Sequence, residues 1–417
     1  MSTVRFVHVG DVHFHAGPRQ ADRVRVLNKI IDAEAKDPPD AWLFPGDLFD
    51  ARSSIADRNI LKEVFKRMAD AAPVWACHGN HDAAGDLDIF GDLNTRFQII
   101  IADTPRVLHP VMASRERATV FFLPWPTEAG LVSDGVALDR IGQEAREILE
   151  RIFIDAGSKL AEARSRGEVT LMIGHVNHTG AQLRSVGQPP IGAQISVDHA
   201  LLGRLGPCYQ ALNHVHIAQK VGEWAYYAGS VCRLTWGEVE PKIYNVVTYK
   251  KGNGIWTPMF IEHRPVNVAP MWHVELWLTR DGIRDVRATA GPDGEVLELP
   301  ASSHGKEVRV RARYHQSEGA VLATGQLAVK RWFADALRFE FEPVCVPDRG
   351  LRAPEVSVAR TLPEKLEAWS KVSGVVLLDD AAAKARQLET EDADVLVATV
   401  ESRMQALCGT TETVNVC

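Results

Sequence analysis

Short apolar runs recur along the first 250 residues and alternate with longer amphipathic stretches. Val4-Arg5-Phe6-Val7-His8-Val9 opens the series. Ala41-Trp42-Leu43-Phe44, Val74-Trp75-Ala76-Cys77, Ala118 to Leu123, Val169 to Ile173 and Tyr209 to Leu212 continue it. Runs this short, bounded by Gly, Asp, Asn or Pro, predict buried strands. Between them, Arg19 to about Ala35, residues near 55 to 70 and a charged stretch near 138 to 166 space their apolar residues as helices do. Pro38-Pro39 stops the first of these. Strands alternating with helices predict an α/β fold whose sheets are covered by helices. From Trp224 to about His263 the chain turns strand-like: Trp224 to Ala228, Ile243 to Tyr249, Ile255 to Ile261. These segments are read as the second sheet of a two-sheet β-sandwich.

Near Pro265 to Pro270 the pattern restarts, which predicts a boundary. Strands over 272–278, 308–314 and 337–344, with a helix near 317–335, make a small α+β domain. The last stretch, about 360 to 409, reads as two or more helices with an apolar stripe of Leu362, Leu366, Trp369, Val372, Val395, Val397, Val400 and Met404. Such a stripe either docks on the body or receives a partner. Residues after Cys408 read as frayed. The expected division is therefore 1–264, 265–346 and 347–417. In the middle part, Arg309, Arg311 and Arg313 alternate with Val308, Val310 and Ala312, placing three cations on one strand face. That face is either simply solvated or a contact to nucleic-acid phosphate.

Composition narrows the class. A chain of 417 residues is too long for one core. No apolar run approaches a membrane span, and no signal-like segment precedes Val4, so cytoplasm is the expectation and no membrane association is foreseen. The six cysteines are scattered without paired spacing, which suggests neither a disulfide framework nor a zinc knuckle. A net charge of −7 speaks against nonspecific coating of nucleic acid but allows a locally basic cleft. No phosphate loop of the Gly-x-x-x-x-Gly-Lys-Ser/Thr type is present.

The chemistry lies at the predicted C-terminal strand ends, where open α/β sheets bind ligands. Asp11 and His13, Asp47, Asn80 and His81, His175, and His214 and His216 all fall there. Each alone is weak, since a single Asp can cap a helix and a buried His is commonly a hydrogen-bonded core residue. Together, carboxylate, imidazole and amide oxygen donors suit Mn²⁺, Fe²⁺ or Zn²⁺. Asp11-x-His13 and His214-x-His216 each direct two side chains to one side of an extended segment. The set predicts two metal ions with Asp47 between them, an arrangement that cleaves phosphoesters. His8, His15, His78 and His178 are expected to be structural or to support the site, with His178 the alternative to His175.

Asp11-Val12-His13, Gly46-Asp47-Leu48-Phe49-Asp50, Gly79-Asn80-His81-Asp82, His175 and His214-Val215-His216 form a series that resembles the calcineurin-like metallophosphoesterases. Within these it is most similar to the SbcD family, the nuclease subunit of a DNA-repair nuclease–ATPase complex. His175 to Gly180, Ala228-Gly229-Ser230 and Trp236-Gly237-Glu238 carry the resemblance on to about residue 240. It implies one metal held by Asp11, His13 and His216, another by Asn80, His175 and His214, and Asp47 bridging. His81 is implied as the acid for the leaving oxygen, Asp82 as its orienting partner and Asp50 as a supporting residue. Two departures stand out: Asn213 replaces the family's usual Gly, and Pro207-Cys208 precedes Tyr209 where an Asp is common.

The resemblance implies a metal-dependent DNA exonuclease and endonuclease. Mn²⁺ is the first expectation, with Fe²⁺, Zn²⁺ or Mg²⁺ as alternatives. An SbcC-like coiled-coil ATPase would dock on the C-terminal helices, the middle domain would cap the site and position DNA, and the protein would form a homodimer. The competing readings are a phosphodiesterase or phosphatase of the same fold acting on a small molecule, and a scaffold protein with a weakened site.

Overall fold

The computed structural model describes residues 2–17, 19–132, 140–183, 195–238, 240–290, 294–297, 302–348, 354–392, 395–400 and 402. Met404, the tail after Cys408 and residues 138–139 of the expected long helix lie outside them. The chain packs as two compact units, Met1–Arg313 with Val321–Val344, and Tyr314–Ala320 with Cys345–Cys417.

In the first unit two six-stranded sheets face each other. One runs Ile255–Val266, Lys242–Gly252, Thr3–His8, Ala41–Phe44, Val74–Cys77, Ile99–Ala102. The other runs Gln219–Lys220, Ala225–Tyr227, Tyr209–Asn213, Val169–His175, Ala118–Leu123, Arg106–Leu108. The strand sequences explain the layers. Along Thr3–His8, Val4 and Phe6 enter the core between the sheets, while Val7 packs outward under helices. Leu43 and Trp75 likewise point inward, and Trp42 and Phe44 outward. Central strands are thus apolar on both faces, as helix-covered sheets require.

The outer face of the first sheet is covered by helices Gln20–Glu34 and Ile55–Ala71, through Val26, Leu27, Leu61 and Phe65. Ser54 caps the second of these in a reciprocal pair with Asp57. Helix Ile141–Ser165 covers the other sheet with Leu149, Phe153 and Leu160. Two sheets flanked by helices is the architecture expected, with one correction. Lys242–Gly252 and Ile255–Val266 do not build the second sheet. They extend the first, Lys242–Gly252 pairing antiparallel with Thr3–His8 (Phe6 opposite Val247). Strand periodicity fixes which residues are buried but not which edge accepts the strand.

Beyond Val266 a five-stranded sheet runs Glu295–Leu297, Gly282–Ala290, Met271–Thr279, Glu307–His315, Arg338–Val346, with helix Val321–Trp332. Strand Gly282–Ala290 is not among the expected elements, because its mixture of charged and small residues reads as loop. The second unit contains helices Pro354–Val358, Leu362–Ser373 and Ala381–Thr390. Among the described residues no helix is long and apolar enough to cross a membrane.

Candidate metal centre

The expected site residues lie on loops that leave the C-terminal ends of strands from both sheets. Thr3–His8, Ala41–Phe44 and Val74–Cys77 deliver Asp11 and His13, Asp47, and Asn80 and His81. From the facing sheet, Val169–His175 ends on His175, and Tyr209–Asn213 leads into His214 and His216. These loops are tightly constrained. The Asp47 carbonyl accepts from the Val12 and His13 amides (3.1 and 2.9 Å). A Cβ on Gly79 would lie 2.1 Å from Asp47 Oδ1, so only glycine fits. His13, Asp47 and His214 take positive φ (47°, 51° and 107°), a conformation that non-glycine residues hold only when surroundings enforce it.

The donor atoms converge. His13 Nε2 lies 3.2 Å from His216 Nε2 and 3.4 Å from Asp47 Oδ2. His175 Nε2 lies 3.3 Å from the same Asp47 oxygen and 2.9 Å from Asn80 Oδ1, which is 3.0 Å from His214 Nδ1. Two triplets, His13–Asp47–His81 and Asp47–His175–His214, have their donor atoms within 4.8 Å of one another. Asp47 belongs to both. Asp11 is fully buried, and its carboxylate accepts from the His214 amide (3.2 Å).

Outer contacts fix which imidazole nitrogen faces inward. His175 Nδ1 donates to the Pro45 carbonyl (2.7 Å), His81 Nδ1 to the Asp50 carbonyl (2.7 Å) and His13 Nδ1 to the Asp50 carboxylate (3.0 Å). Each is left with an Nε2 lone pair toward the cluster, the arrangement that supporting oxygens impose on metal-binding histidines. These donors fit divalent cations. Electrostatics agree with a site built for positive charge. Burial pushes Asp47 upward, but His175, His13 and His81 outweigh it and hold the carboxyl well below the usual range. Burial raises Asp11 to about 6. Burial also opposes a charge on His175, yet Asp47 and Asp11 raise it to about 9, whereas burial and His175 lower His214 to about 3.

Several expectations change. Asp82 does not orient His81. Its buried carboxylate accepts from the Phe49 and Gly79 amides (2.8 and 2.9 Å) and so ties two loops together. At Asn213, where the resemblance has Gly, the backbone has no positive φ that would call for glycine; the positive φ falls one residue later, at His214. With its amide turned to satisfy its neighbours, Asn213 accepts from the Asp11 amide (3.2 Å) and donates to the Leu212 carbonyl (2.8 Å). His178 packs on His199, outside the cluster, so the alternative that put it in place of His175 falls away. Arg309, Arg311 and Arg313 do share a strand face, but Glu275, Glu340 and Glu342 pair with them. That strand is an ion-paired sheet face, not a row of uncommitted cations.

Two further residues of the site are absent from the expected set. Trp125 lies over His214, ring centroids 4.5 Å apart, with no spacing signal to betray it. Glu238 places Oε1 3.4 Å from His216 Nδ1 while Lys242 Nζ (2.6 Å) and the Leu234 amide (3.1 Å) hold its other oxygen. The available signal was its acidic type at the end of Trp236-Gly237-Glu238, eight residues from Ser230.

Residues 4–196 match the model of the calcineurin-like phosphoesterase family. With the two-sheet fold and the paired donor clusters, this makes the matched part of the chain similar to the calcineurin-like metallophosphoesterases. Its relatives are distant. The SbcD polypeptide of nuclease SbcCD from Escherichia coli K12 is 26% identical over 271 residues, which cover 60% of this chain and 66% of that protein. The chain thus spans just under two thirds of the length of that relative. The DNA double-strand break repair protein Mre11 of Haloferax volcanii is 24% identical over 426 residues, covering 94% of this chain and 84% of that one. Among solved structures, the calcineurin-like phosphoesterase YfkN of Bacillus subtilis covers 64% of this chain and 90% of its own at 11% identity, with a TM-score of 0.36.

Proposed function

We propose that the protein is a dinuclear-metal-dependent DNA nuclease, acting as exonuclease and endonuclease. The observation that carries this reading is the convergence of donor atoms from both sheets on Asp47, in two triplets that share it. Asp11, His13 and His216 would hold one ion and Asn80, His175 and His214 the other. Two bound ions, Mn²⁺ first among the candidates, supply the charge that activates water and stabilises a phosphoester under attack. His81 has its Nδ1–H committed to the Asp50 carbonyl, so it would act as the acid in its imidazolium form, Nε2 taking up a proton and passing it to the leaving oxygen.

The similarity to Haloferax Mre11, which reaches across nearly the whole chain, supports a macromolecular substrate. On this reading 1–264 is the nuclease domain, 265–346 positions DNA and 347–417 receives an SbcC-like ATPase in a homodimeric cytoplasmic complex. Exposed Trp369, Val372, Val376 and Leu378 support a partner surface there. A second reading, a small-molecule phosphodiesterase, gains from the ion pairing of Arg309, Arg311 and Arg313, which removes one argument for nucleic acid.

Cleavage of end-labelled double- and single-stranded DNA with Mn²⁺, comparing wild type with His81→Ala, tests the proposal. Cutting that slows by about 10²–10⁴-fold in the variant, with metal content retained, is the expected result. Loss of metal would make His81 a ligand. Hydrolysis of a small phosphodiester without DNA cutting, in the presence of the ATPase as well, would favour the second reading.

A further inference from the structure

Helix Gln20–Glu34 and the residue that precedes it supply two buried arginines one turn apart, with opposite surroundings. Arg19 has a counter-ion, with Nη2 2.5 Å from Glu307 Oε2. Arg23 is 2% exposed, and neither its Nε nor its Nη1 has a hydrogen-bond partner. The nearby carboxylates are committed elsewhere: Asp22 to Arg25, and Asp50 to His13 with His15 3.6 Å away. Close by, the Cys232 thiol is pushed up to about 12 by burial and carries no charge to offset the guanidinium. Burial works against the charge of Arg23 as well, but arginine stays protonated near neutral pH. A buried cation without a dedicated counter-ion burdens the fold unless an anion arrives to pair with it.

The position of Arg23 identifies that anion. Its side chain lines the cavity of about 280 Å³ that also contains His13, Asp47, His81 and His216. Resting on the phosphoesterase reading, we infer that Arg23 is a substrate-binding residue whose guanidinium takes the non-bridging oxygens of the phosphate held in this cavity. The planar fork matches two phosphate oxygens at once, which a lysine cannot do. It binds the phosphate and not the metal, so it separates substrate affinity from metal affinity.

The test uses the full-length, Mn²⁺-loaded protein, with Arg23→Met and Arg23→Lys beside wild type. Calorimetric titration measures Mn²⁺ binding and then inorganic phosphate binding, and melting temperature is recorded for each. Arg23→Met should bind Mn²⁺ within about twofold of wild type but bind phosphate about 10- to 100-fold more weakly, the size of a lost charge-assisted hydrogen bond. Its KM for bis(p-nitrophenyl) phosphate should rise by a similar factor, and its melting temperature should hold or rise. Arg23→Lys should recover only part of the phosphate affinity. Phosphate affinity unchanged in Arg23→Met, with Mn²⁺ bound, overturns the inference. Should the Met variant fail to fold, wild-type phosphate affinity in Arg23→Lys would overturn it too. A wild type that binds Mn²⁺ and phosphate but hydrolyses no phosphodiester instead sinks the nuclease reading and leaves the role of Arg23 in phosphate binding to be judged by the titrations.

Discussion

His8 is fully enclosed, with Nδ1 2.9 Å from the Tyr209 hydroxyl and Nε2 3.2 Å from the Asn213 amide. Burial lowers its pKa to about 3. Below the ordinary value of 6.5, the unfolded chain takes up a proton at His8 that the folded chain refuses. Stability from this residue is therefore present above pH 6.5 and is lost as pH falls toward 3. Melting temperature against pH should drop from about 6.5 to about 5, and His8→Asn should flatten that slope; an unchanged slope would assign the acid sensitivity to other groups. Glu238 invites a second substitution. Glu238→Gln keeps the volume and leaves Lys242 paired with Glu240 (2.7 Å), but it removes the carboxylate beside His216. Mn²⁺ affinity measured by titration should fall about 10- to 100-fold, the usual effect of losing a carboxylate that supports a metal-binding histidine. Full affinity would reduce Glu238 to a structural role. The residues at the strand ends were legible because their types and order are the signal. Asp50, whose carboxylate meets His13, was among the expected supporting residues, whereas the Pro45 and Asp50 carbonyls that hold His175 and His81 were not, because every residue possesses one.

At the scale of elements, loops that leave strands of the two facing sheets meet backbone against backbone at very short range. A Cβ on Gly10 would lie 1.5 Å from the Gly229 carbonyl oxygen, and the adjacent Val231 amide donates to the Asp11 carbonyl (3.0 Å). Gly10→Ala should force these loops apart, costing about 3 kcal/mol, the upper end of overpacking penalties, and weakening Mn²⁺ binding. Gly203→Ala, where nothing lies within 4 Å of the new methyl, is the control and should melt as wild type. Equal melting temperatures for both would mean the Gly10 loop relaxes freely. The longer strands and helices up to Leu212 were readable because each apolar run has one compatible burial pattern, whereas the strands Ile99–Ala102 and Arg106–Leu108 were not among those expected. The sheet membership of Lys242–Gly252 was not, since pairing with Thr3–His8 is decided by geometry spanning the chain. In the same way, alternation announced the Arg309 face, whereas its glutamate partners come from two neighbouring strands.

Across the whole first unit, the five-stranded sheet is joined to the phosphoesterase body through Trp236. Its indole donates to Glu340 (2.5 Å) and lies beneath the guanidinium groups of Arg338 and Arg19, 4.7 and 5.6 Å from the ring centre. The neighbouring Arg19–Glu307 pair spans the same boundary. Calorimetry should find a single transition for this unit in the wild type, and Trp236→Ala should split it into two; one transition in both would locate the coupling elsewhere. Removal of residues 360–417 should leave phosphodiesterase activity intact and abolish binding of an SbcC-like ATPase, assayed by co-purification. The pattern break near Pro265 was visible in the sequence, but the cation–π joint that bridges it was not, because Arg19 lies far from both Trp236 and Arg338 along the chain.

The order of strands in the first sheet also governs how the chain is made. Thr3–His8 is made before its antiparallel neighbour, which begins only at Lys242. At about 5–20 residues per second, the interval is on the order of 10–50 s. Throughout it the first strand can pair with Ala41–Phe44 on one side and has an open edge on the other. Mispairing between nascent chains on one message is therefore the hazard peculiar to this topology, and it ends once Gly252 is free to close the edge.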